Sequence, residues 1–268
     1  MPEGDTVFRT ANHLARALAG QEITRFDIRV PGSATADLRG QIVRDVVPRG
    51  KHILHRIGEQ TLHSHLLMEG EWHVYRPGAP WRKPAFKARA IVGTAEWLTV
   101  GFELAMVEVL PTSDESRVIG HLGPDPLSPN WDDAQAAEAA QRLAVDTRSV
   151  HVALLDQRNI AGFGNEYVNE MLFVRGIDPA APARELGPTE TLALVELGAR
   201  MMRANLNRPG RTFTGNTRPG MATWVFGRAG KACRRCGARI ELTTLGANRT
   251  SERNVFWCPS CQPKRSTP

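Results

Sequence analysis

The sequence predicts a multidomain protein of α and β structure, because three segments of the chain show three different patterns. Short runs of alternating apolar and polar residues fill 21–110, helical periodicity follows from about 131, and all four cysteines fall in the last 36 residues. At 268 residues the chain is long enough for two modest hydrophobic cores. We expect an N-terminal β-sandwich domain over 1–119, a linker at 120–130, a helical domain over 131–226 and a cysteine-rich domain over 227–268.

The first domain is expected to begin with a helix and to continue as a series of strands. The helix should start after Gly4, where apolar side chains recur at helical spacing at positions 7, 11, 14 and 18. An all-β pattern of roughly eight short strands then favours a sandwich. Examples of the alternating runs, which are broken by Gly and Pro, are 23–30, 41–47, 52–57, 62–66, 71–75, 88–92 and 97–109.

The second domain should be helical, after a linker rich in Gly and Pro. Ser149 is a residue type that caps helices, and Gly176 one that ends them. The predicted helices are 132–145, 149–156, 165–175 and 188–206.

The turn between the second and third of these helices places Gly162 and Gly164 on either side of Phe163. Backbone amides of such a turn, together with the N-terminus of the following helix, can bind a phosphate oxygen. An ordinary packing turn with Phe163 as its hydrophobic plug fits the same residues, so the local pattern leaves both interpretations open.

The cysteines form two Cys-x-x-Cys pairs separated by 21 residues. Each tight turn of this kind directs two thiolates at one ion, and two such turns joined by a short segment are typical of a tetrahedral zinc ribbon. A terminal segment of this size has too small a hydrophobic core to fold stably without a metal ion or another cross-link. We therefore predict one structural zinc ion, with the ligands Cys233, Cys236, Cys258 and Cys261.

The charge balance favours a polyanionic partner. The formal net charge is +6, and residues 200–265 contain 14 Lys and Arg against two carboxylates. No apolar stretch approaches about 18 residues, which argues against a signal peptide, a membrane span and a membrane partner. We expect a cytosolic protein.

The N-terminus is a candidate catalyst. Removal of Met1 would leave Pro2 as a terminal secondary amine, which can attack an aldehyde-like carbon and form an iminium, as lysines do in Schiff-base enzymes. Glu3 places an acid next to it, and the dipole of the following helix would favour the uncharged amine. Because Pro at position 2 also simply permits Met removal, the motif alone does not decide.

Six motifs in one order decide the interpretation. They are Met-Pro-Glu-Gly at the terminus, Arg-Gly-Lys-His at 49–52, Leu-Gly-Pro-Asp-Pro-Leu at 122–127, Ala-Gly-Phe-Gly-Asn at 161–165, Val-Phe-Gly-Arg at 225–228 and Phe-Trp-Cys-Pro-Ser-Cys-Gln at 256–262. Together they closely resemble the Fpg/Nei family of bacterial DNA glycosylase/AP lyases, over nearly the whole chain. The resemblance implies an N-terminal β-sandwich, a helix-two-turn-helix domain and a C-terminal zinc finger, acting on damaged DNA in base excision repair.

The resemblance also implies roles for single residues. Pro2 would attack C1′ of the damaged nucleotide, and Glu3 would act as general acid. Lys51, on a β-hairpin, would contact the phosphate beside the lesion, and Asn165 and Arg253 would bind the same backbone segment. The segment between the cysteine pairs is longer than is usual in the family, which leaves Arg249 as a rival to Arg253.

The resemblance further indicates the lesion class. Met68 aligns with a family residue that wedges into the duplex, and a flexible apolar side chain suits that space. The 8-oxoguanine branch usually carries an Arg-Arg-Phe turn, but 98–105 contains no arginine. We therefore expect a preference for oxidised pyrimidines and abasic sites, in double or single strands. We also expect the protein to act as a monomer. An 8-oxoguanine-directed enzyme and a non-catalytic protein that binds damaged DNA are the alternatives.

Overall fold

The computed structural model describes residues 2–208, 210–246, 248 and 251–264. The chain divides into two compact units, residues 1–121 and 122–268. None of the described helices is long and apolar enough to cross a membrane.

The first unit is a β-sandwich with a helix at its start, as predicted. Helix α1 spans Gly4–Leu18, and one antiparallel sheet has the strand order β2-β3-β4-β8 while the other has β1-β6-β7-β5. The strands are β1 Arg25–Ile28, β2 Val43–Arg49, β3 His52–Ile57, β4 Gln60–His65, β5 Glu71–Tyr75, β6 Ala88–Gly93, β7 Leu98–Phe102 and β8 Met106–Pro111. A short helix, α2, follows at Ser116–Ile119.

The core of this unit lies between α1 and the two sheets. The apolar stripe of α1, which includes Val7 and Leu14, is buried together with Ile53 and Leu62 of one sheet and Val92 of the other. Burying one helix stripe against the inner faces of both sheets is what places the start of α1 at a fixed point of the sandwich.

One predicted run proved to be two strands. The residues at 97–109 form β7 in one sheet and β8 in the other, and the chain crosses between the sheets at 103–105. Glu103 adopts a φ of 51°, which is uncommon for a residue with a side chain. Its carboxylate accepts hydrogen bonds from Lys83 (2.7 Å) and Lys87 (2.8 Å), which hold the crossing in place.

The described part of the second unit combines four α-helices with a two-stranded hairpin. The helices are α3 Asp133–Ala144, α4 Val150–Leu155, α5 Asn165–Arg175 and α6 Pro188–Asn205, and strands β9 Glu241–Leu245 and β10 Arg253–Trp257 pair antiparallel. Ser149 Oγ accepts the hydrogen bond from Val152 N that caps α4. Gly176, with a φ of 69°, ends α5.

Helix α5 is the centre of this unit, because most of its side chains are buried, Tyr167, Met171 and Phe173 among them. Helix α6 packs closely against α5. A Cβ at Gly198 of α6 would collide with the side chains of Phe163 and Met171. A second core, which includes Phe173, Val225, Cys233, Ile240 and Cys258, joins the end of α5 to the cysteine-rich segment. The cysteine-rich segment therefore packs on the helical segment within one compact unit.

Candidate active site and nucleic-acid interface

Pro2 and Glu3 lie at the N-terminus of α1. Pro2 is half-buried, whereas Glu3 is completely buried and its main-chain oxygen accepts the hydrogen bond of Val7 N at 3.0 Å. The first turn of the helix thereby fixes the position of the acid directly beside the proline. The positive end of the helix dipole favours the uncharged form of a terminal amine at this place.

Lys51 occupies the tight turn between β2 and β3. Arg49 pairs with His52, so the turn consists of Gly50 and Lys51 alone, and Gly50 has the positive φ (57°) that the first residue of a type II′ turn requires. Lys51 is half-buried. Burial, and after it the nearby charge of Lys51, lowers the pKa of the His65 imidazole to about 4. The turn holds the lysine in a defined place without enclosing it.

A chain of hydrogen bonds that the sequence did not reveal lies next to Lys51. His63 Nδ1 lies 2.9 Å from Glu108 Oε1, and His63 Nε2 lies 2.7 Å from His52 Nδ1. Since the carboxylate can only accept, His63 donates to Glu108 from Nδ1, and His63 Nε2 shares a hydrogen bond with His52 Nδ1. Burial lowers the pKa of His52 to about 3, so this ring is neutral near pH 7 and Lys51 is the charged group beside it. The pairing depends on strand register, which a single sequence does not give.

Met68 lies in an exposed apolar turn between β4 and β5. The side chain of Met68 is 59% exposed and that of the preceding Leu67 is 52% exposed. Leu67 adopts a φ of 48°, and its N–H donates to His65 Nδ1 at 2.9 Å, so the turn is fixed by its own contacts. Sequence reasoning identified Met68 but not Leu67, which presents apolar surface at the same place.

Asn165 begins α5 and is 6% exposed. Its Nδ2 donates to Asn254 O at 2.9 Å, and its Oδ1 lies 2.9 Å from His151 Nε2. The preceding turn is held by Gln157, whose Nε2 donates to Phe163 O. Phe163 is completely buried and fills the interior of the turn. Asn165 lies at the N-terminus of the helix.

Arg253 is the first residue of β10 and is exposed. It pairs with Leu245, and its Nη1 donates to Glu252 O at 2.9 Å. Arg253 therefore follows directly on the hairpin loop and precedes Asn254, which Asn165 binds. The rival residue Arg249 lies outside the described residues.

Glu170 holds a loop that approaches α5. Its carboxylate accepts hydrogen bonds from the main-chain N–H groups of Trp224, Val225 and Phe226 at 2.8, 2.9 and 2.8 Å. Burial raises the pKa of Glu170 to about 7, while the three N–H donors act in the opposite direction. Both oxygens of this buried acid therefore bind main-chain N–H groups.

The four cysteines converge as their spacing predicted. All four Sγ atoms lie within 4.8 Å of one another, with Cys233 and Cys261 separated by 3.9 Å and Cys236 and Cys258 by 3.5 Å. Bonds of about 2.3 Å to one tetrahedral ion would place thiolates about 3.8 Å apart, so the donor set and its spacing fit a four-thiolate metal site. No other such group occurs among the described residues.

Two family models match the chain. The model of the formamidopyrimidine-DNA glycosylase N-terminal domain matches residues 1–162, and that of the formamidopyrimidine-DNA glycosylase H2TH domain matches residues 122–216. The first model covers Pro2, Glu3, Lys51 and Met68, and the second covers Asn165.

Curated relatives and solved structures are similar over nearly the full chain. The probable endonuclease 8 2 of Streptomyces coelicolor is 45% identical over 98% of this chain and 94% of its own length. The DNA-(apurinic or apyrimidinic site) lyase Nei2 of Mycolicibacterium smegmatis is 44% identical over 98% and 99%. A structure of MutM with DNA containing carbocyclic 8-oxo-G, 25% identical, superposes with a TM-score of 0.81 over 98% of this chain and 100% of that one.

Proposed function

Because the chain belongs to the Fpg/Nei family of bacterial DNA glycosylase/AP lyases, we propose that Pro2, freed by removal of Met1, is its nucleophile in base excision repair. The protein is a bifunctional enzyme that removes a damaged base and then cleaves the strand. The observation that carries the assignment of Pro2 is its position two residues before α1, half-buried, with the completely buried Glu3 beside it.

The reaction follows from the chemistry of a secondary amine. The Pro2 nitrogen attacks C1′, the bond from C1′ to the base breaks, and the opened sugar remains attached as an iminium. Loss of a C2′ proton from the iminium expels the 3′ phosphate (β-elimination), and a further elimination can release the 5′ phosphate. Water then hydrolyses the iminium and restores the free amine. Glu3 acts as general acid, donating its proton to the sugar ring oxygen or to the leaving base.

The DNA backbone is held by residues from both units. Lys51 supplies a point charge on a short turn, Asn165 an amide at a helix N-terminus, and Arg253 a charge at the start of β10. Structural neighbours of this chain are complexes with abasic-site DNA and with 8-oxo-G DNA, which supports DNA as the partner. The protein acts as a monomer in the cytosol.

Met68 fills the space that the extruded nucleotide leaves. Its exposed apolar side chain lies on a turn with a fixed backbone, which suits a wedge between base steps. The four cysteines bind one zinc ion, which supplies structure rather than chemistry, since four thiolates leave no open coordination position.

The preferred lesions are oxidised pyrimidines and abasic sites. The stretch at 98–105 has no arginine to hydrogen-bond an orphaned cytosine, and Glu103 in this stretch is engaged by Lys83 and Lys87. Discrimination of the opposite base should therefore be weak.

Borohydride trapping tests the nucleophile. Reduction of the iminium should give a one-to-one covalent complex with abasic-site DNA, and the adduct should map to Pro2. The variant Pro2→Gly, or a protein that retains an N-terminal tag, should yield no more than about a tenth of the complex, because a secondary terminal amine is then lacking. Trapping at full yield with Pro2→Gly, or an adduct on Lys51, would refute the assignment.

A panel of oligonucleotides with single defined lesions tests the lesion class. Thymine glycol and dihydrouracil should be excised faster than 8-oxoguanine opposite cytosine, with rates that change little with the opposite base. Faster excision of 8-oxoguanine opposite cytosine, with a strong loss opposite adenine, would assign the enzyme to the other branch of the family.

A further inference from the structure

Two asparagines one helical turn apart connect α5 to the free edge of the cysteine-rich hairpin. Asn165 Nδ2 donates to Asn254 O at 2.9 Å, and Asn169 Oδ1 accepts from Phe256 N at 2.6 Å. Residues two apart on a strand present their main-chain groups to the same edge, so both bonds lie on the edge of β10 that faces α5 while the other edge pairs with β9. These bonds set the register of β10, and with it the position of Arg253, relative to α5.

The orientation of the Asn165 amide follows from this contact. A main-chain oxygen can only accept, so the atom near Asn254 O is the amide nitrogen and the oxygen Oδ1 faces the other way. Asn169 Nδ2 donates to this oxygen at 3.2 Å, and His151 Nε2 lies 2.9 Å from it. His151 must therefore carry its proton on Nε2 and donate to Asn165.

This arrangement leaves the other ring nitrogen of His151 without a hydrogen-bond partner among the described residues. His151 is completely buried on α4, and burial lowers the pKa of the ring to about 4, so it is neutral near pH 7. A buried polar atom without a partner is unfavourable, so packing alone gives no reason for a histidine rather than an apolar side chain at this position. The hydrogen bond from His151 Nε2–H to Asn165 Oδ1 is therefore the contact that accounts for a histidine at this position.

We propose that His151 is a positioning residue for DNA binding: its Nε2–H fixes the Asn165 amide, which keeps Asn165 and the strand of Arg253 aligned as one phosphate-binding unit. The inference rests on the proposed roles of Asn165 and Arg253. Without this donor the Asn165 amide can rotate, and its bond to Asn254 O is then lost for part of the time. Nothing in this role requires His151 to touch DNA.

Equilibrium binding to a duplex with one tetrahydrofuran abasic-site analogue tests the proposal, because this analogue has no leaving group at C1′ and reports binding alone. His151→Leu should weaken affinity by about tenfold, the effect of one lost buried hydrogen bond, with little change in the midpoint of thermal unfolding. His151→Gln, whose amide nitrogen reaches the position of Nε2, should restore affinity to within about twofold. The matched control Val150→Ala, at the buried neighbour on α4, should lower the midpoint but not the affinity.

A double-variant cycle separates positioning from general stability. In an Asn165→Ala background, His151→Leu should cause no further loss of affinity, because its only route to the DNA is already removed. Nitrogen NMR of the folded wild type should show His151 protonated on Nε2, a measurement that does not depend on any variant folding.

The outcomes distinguish the inference from the function on which it rests. Full affinity of His151→Leu beside a weakened Asn165→Ala, an additive loss in the double variant, or a proton on Nδ1 of His151 would each overturn the positioning role alone. Wild-type affinity of Asn165→Ala would show that Asn165 does not bind phosphate, and the role of His151 would then be wrong as well.

Discussion

At the residue scale, the proposed phosphate contacts come from two kinds of side chain, charged and neutral. The salt dependence of DNA affinity distinguishes them. Lys51 and Arg253 are cations that would displace counterions from phosphate, whereas Asn165 is a neutral amide. Lys51→Ala and Arg253→Ala should each weaken affinity for every sequence and reduce the slope of log affinity against log salt by about one unit. Asn165→Ala should lower the affinity and leave the slope unchanged, as measured by fluorescence anisotropy over a range of salt concentrations.

Arg39 offers a matched control for the loss of one charge. It is exposed in the first unit and paired with Asp37 at 2.6 Å, and Arg39→Ala should change neither the affinity nor the slope. If Arg253→Ala leaves the slope unchanged while Arg249→Ala reduces it, the phosphate contact belongs to Arg249.

Met68 should matter only where there is a base stack to enter. Met68→Ala should weaken binding to a duplex with an abasic-site analogue by about fivefold to tenfold, because burial of its side chain is lost, and should leave binding to the same lesion in a single strand within about twofold. Phe86→Ala, which removes another exposed apolar side chain of the first unit, serves as control. Equal losses on both substrates would contradict a wedge role.

Residues could be predicted from the sequence where a local motif identified them. The cysteines and the turn of Lys51 follow from their spacing and from the neighbouring Gly50. His151 could not be identified, because its significance depends on Asn165, 14 residues away, and through it on Asn254, a further 89 residues along the chain. Contacts of this kind are set by tertiary packing, which no pattern in one sequence records.

At the scale of elements, Glu170 joins α5 to the loop at 224–226. In Glu170→Gln one carboxylate oxygen becomes an N–H₂ group, which meets a main-chain N–H that needs an acceptor. The free energy of unfolding should fall by about 1–3 kcal/mol, the cost of leaving a buried donor unsatisfied, as measured by urea denaturation. Glu196→Gln on α6, where the carboxylate is exposed and lies 3.7 Å from Arg200, should change it by less than about 0.5 kcal/mol. Similar values for the two variants would rule out a structural role for the Glu170 charge.

Elements were predictable where periodicity and end signals agreed. The predicted bounds of β3, β5 and α5 match the structure, since each is flanked by turn residues or ends at a glycine. The alternation at 97–109 predicts one continuous run, because the crossing residue Glu103 is neither Gly nor Asn. Its positive φ is held by Lys83 and Lys87, about 16–20 residues earlier in the sequence, so the local sequence carries no sign of a break.

At the scale of the whole molecule, the charge indicates a basic protein and the cysteine spacing predicts a metal site near the C-terminus, while the fold shows which elements the four cysteines join. Two of the cysteines, Cys233 and Cys258, belong to the buried cluster that contains Phe173 at the end of α5. The state of the metal site is therefore coupled to the helix that carries Asn165 and to the hairpin that carries Arg253, within the second unit.

Removal of the metal should unfold part of the second unit and leave the first intact. With a chelator, hydrogen exchange should rise in β9, β10 and the end of α5 but stay unchanged in the sheets of the sandwich. The lowest unfolding midpoint should fall by about 10 °C, since several kcal/mol of metal-binding free energy are lost and each shifts the midpoint of a domain of this size by roughly 2–4 °C. Trapping with abasic-site DNA should fall by at least about tenfold, because Asn165 and Arg253 lose their alignment. A chelator saturated with zinc beforehand is the control, and unchanged exchange in β10 after removal of the metal would show that the four thiolates do not stabilise the hairpin.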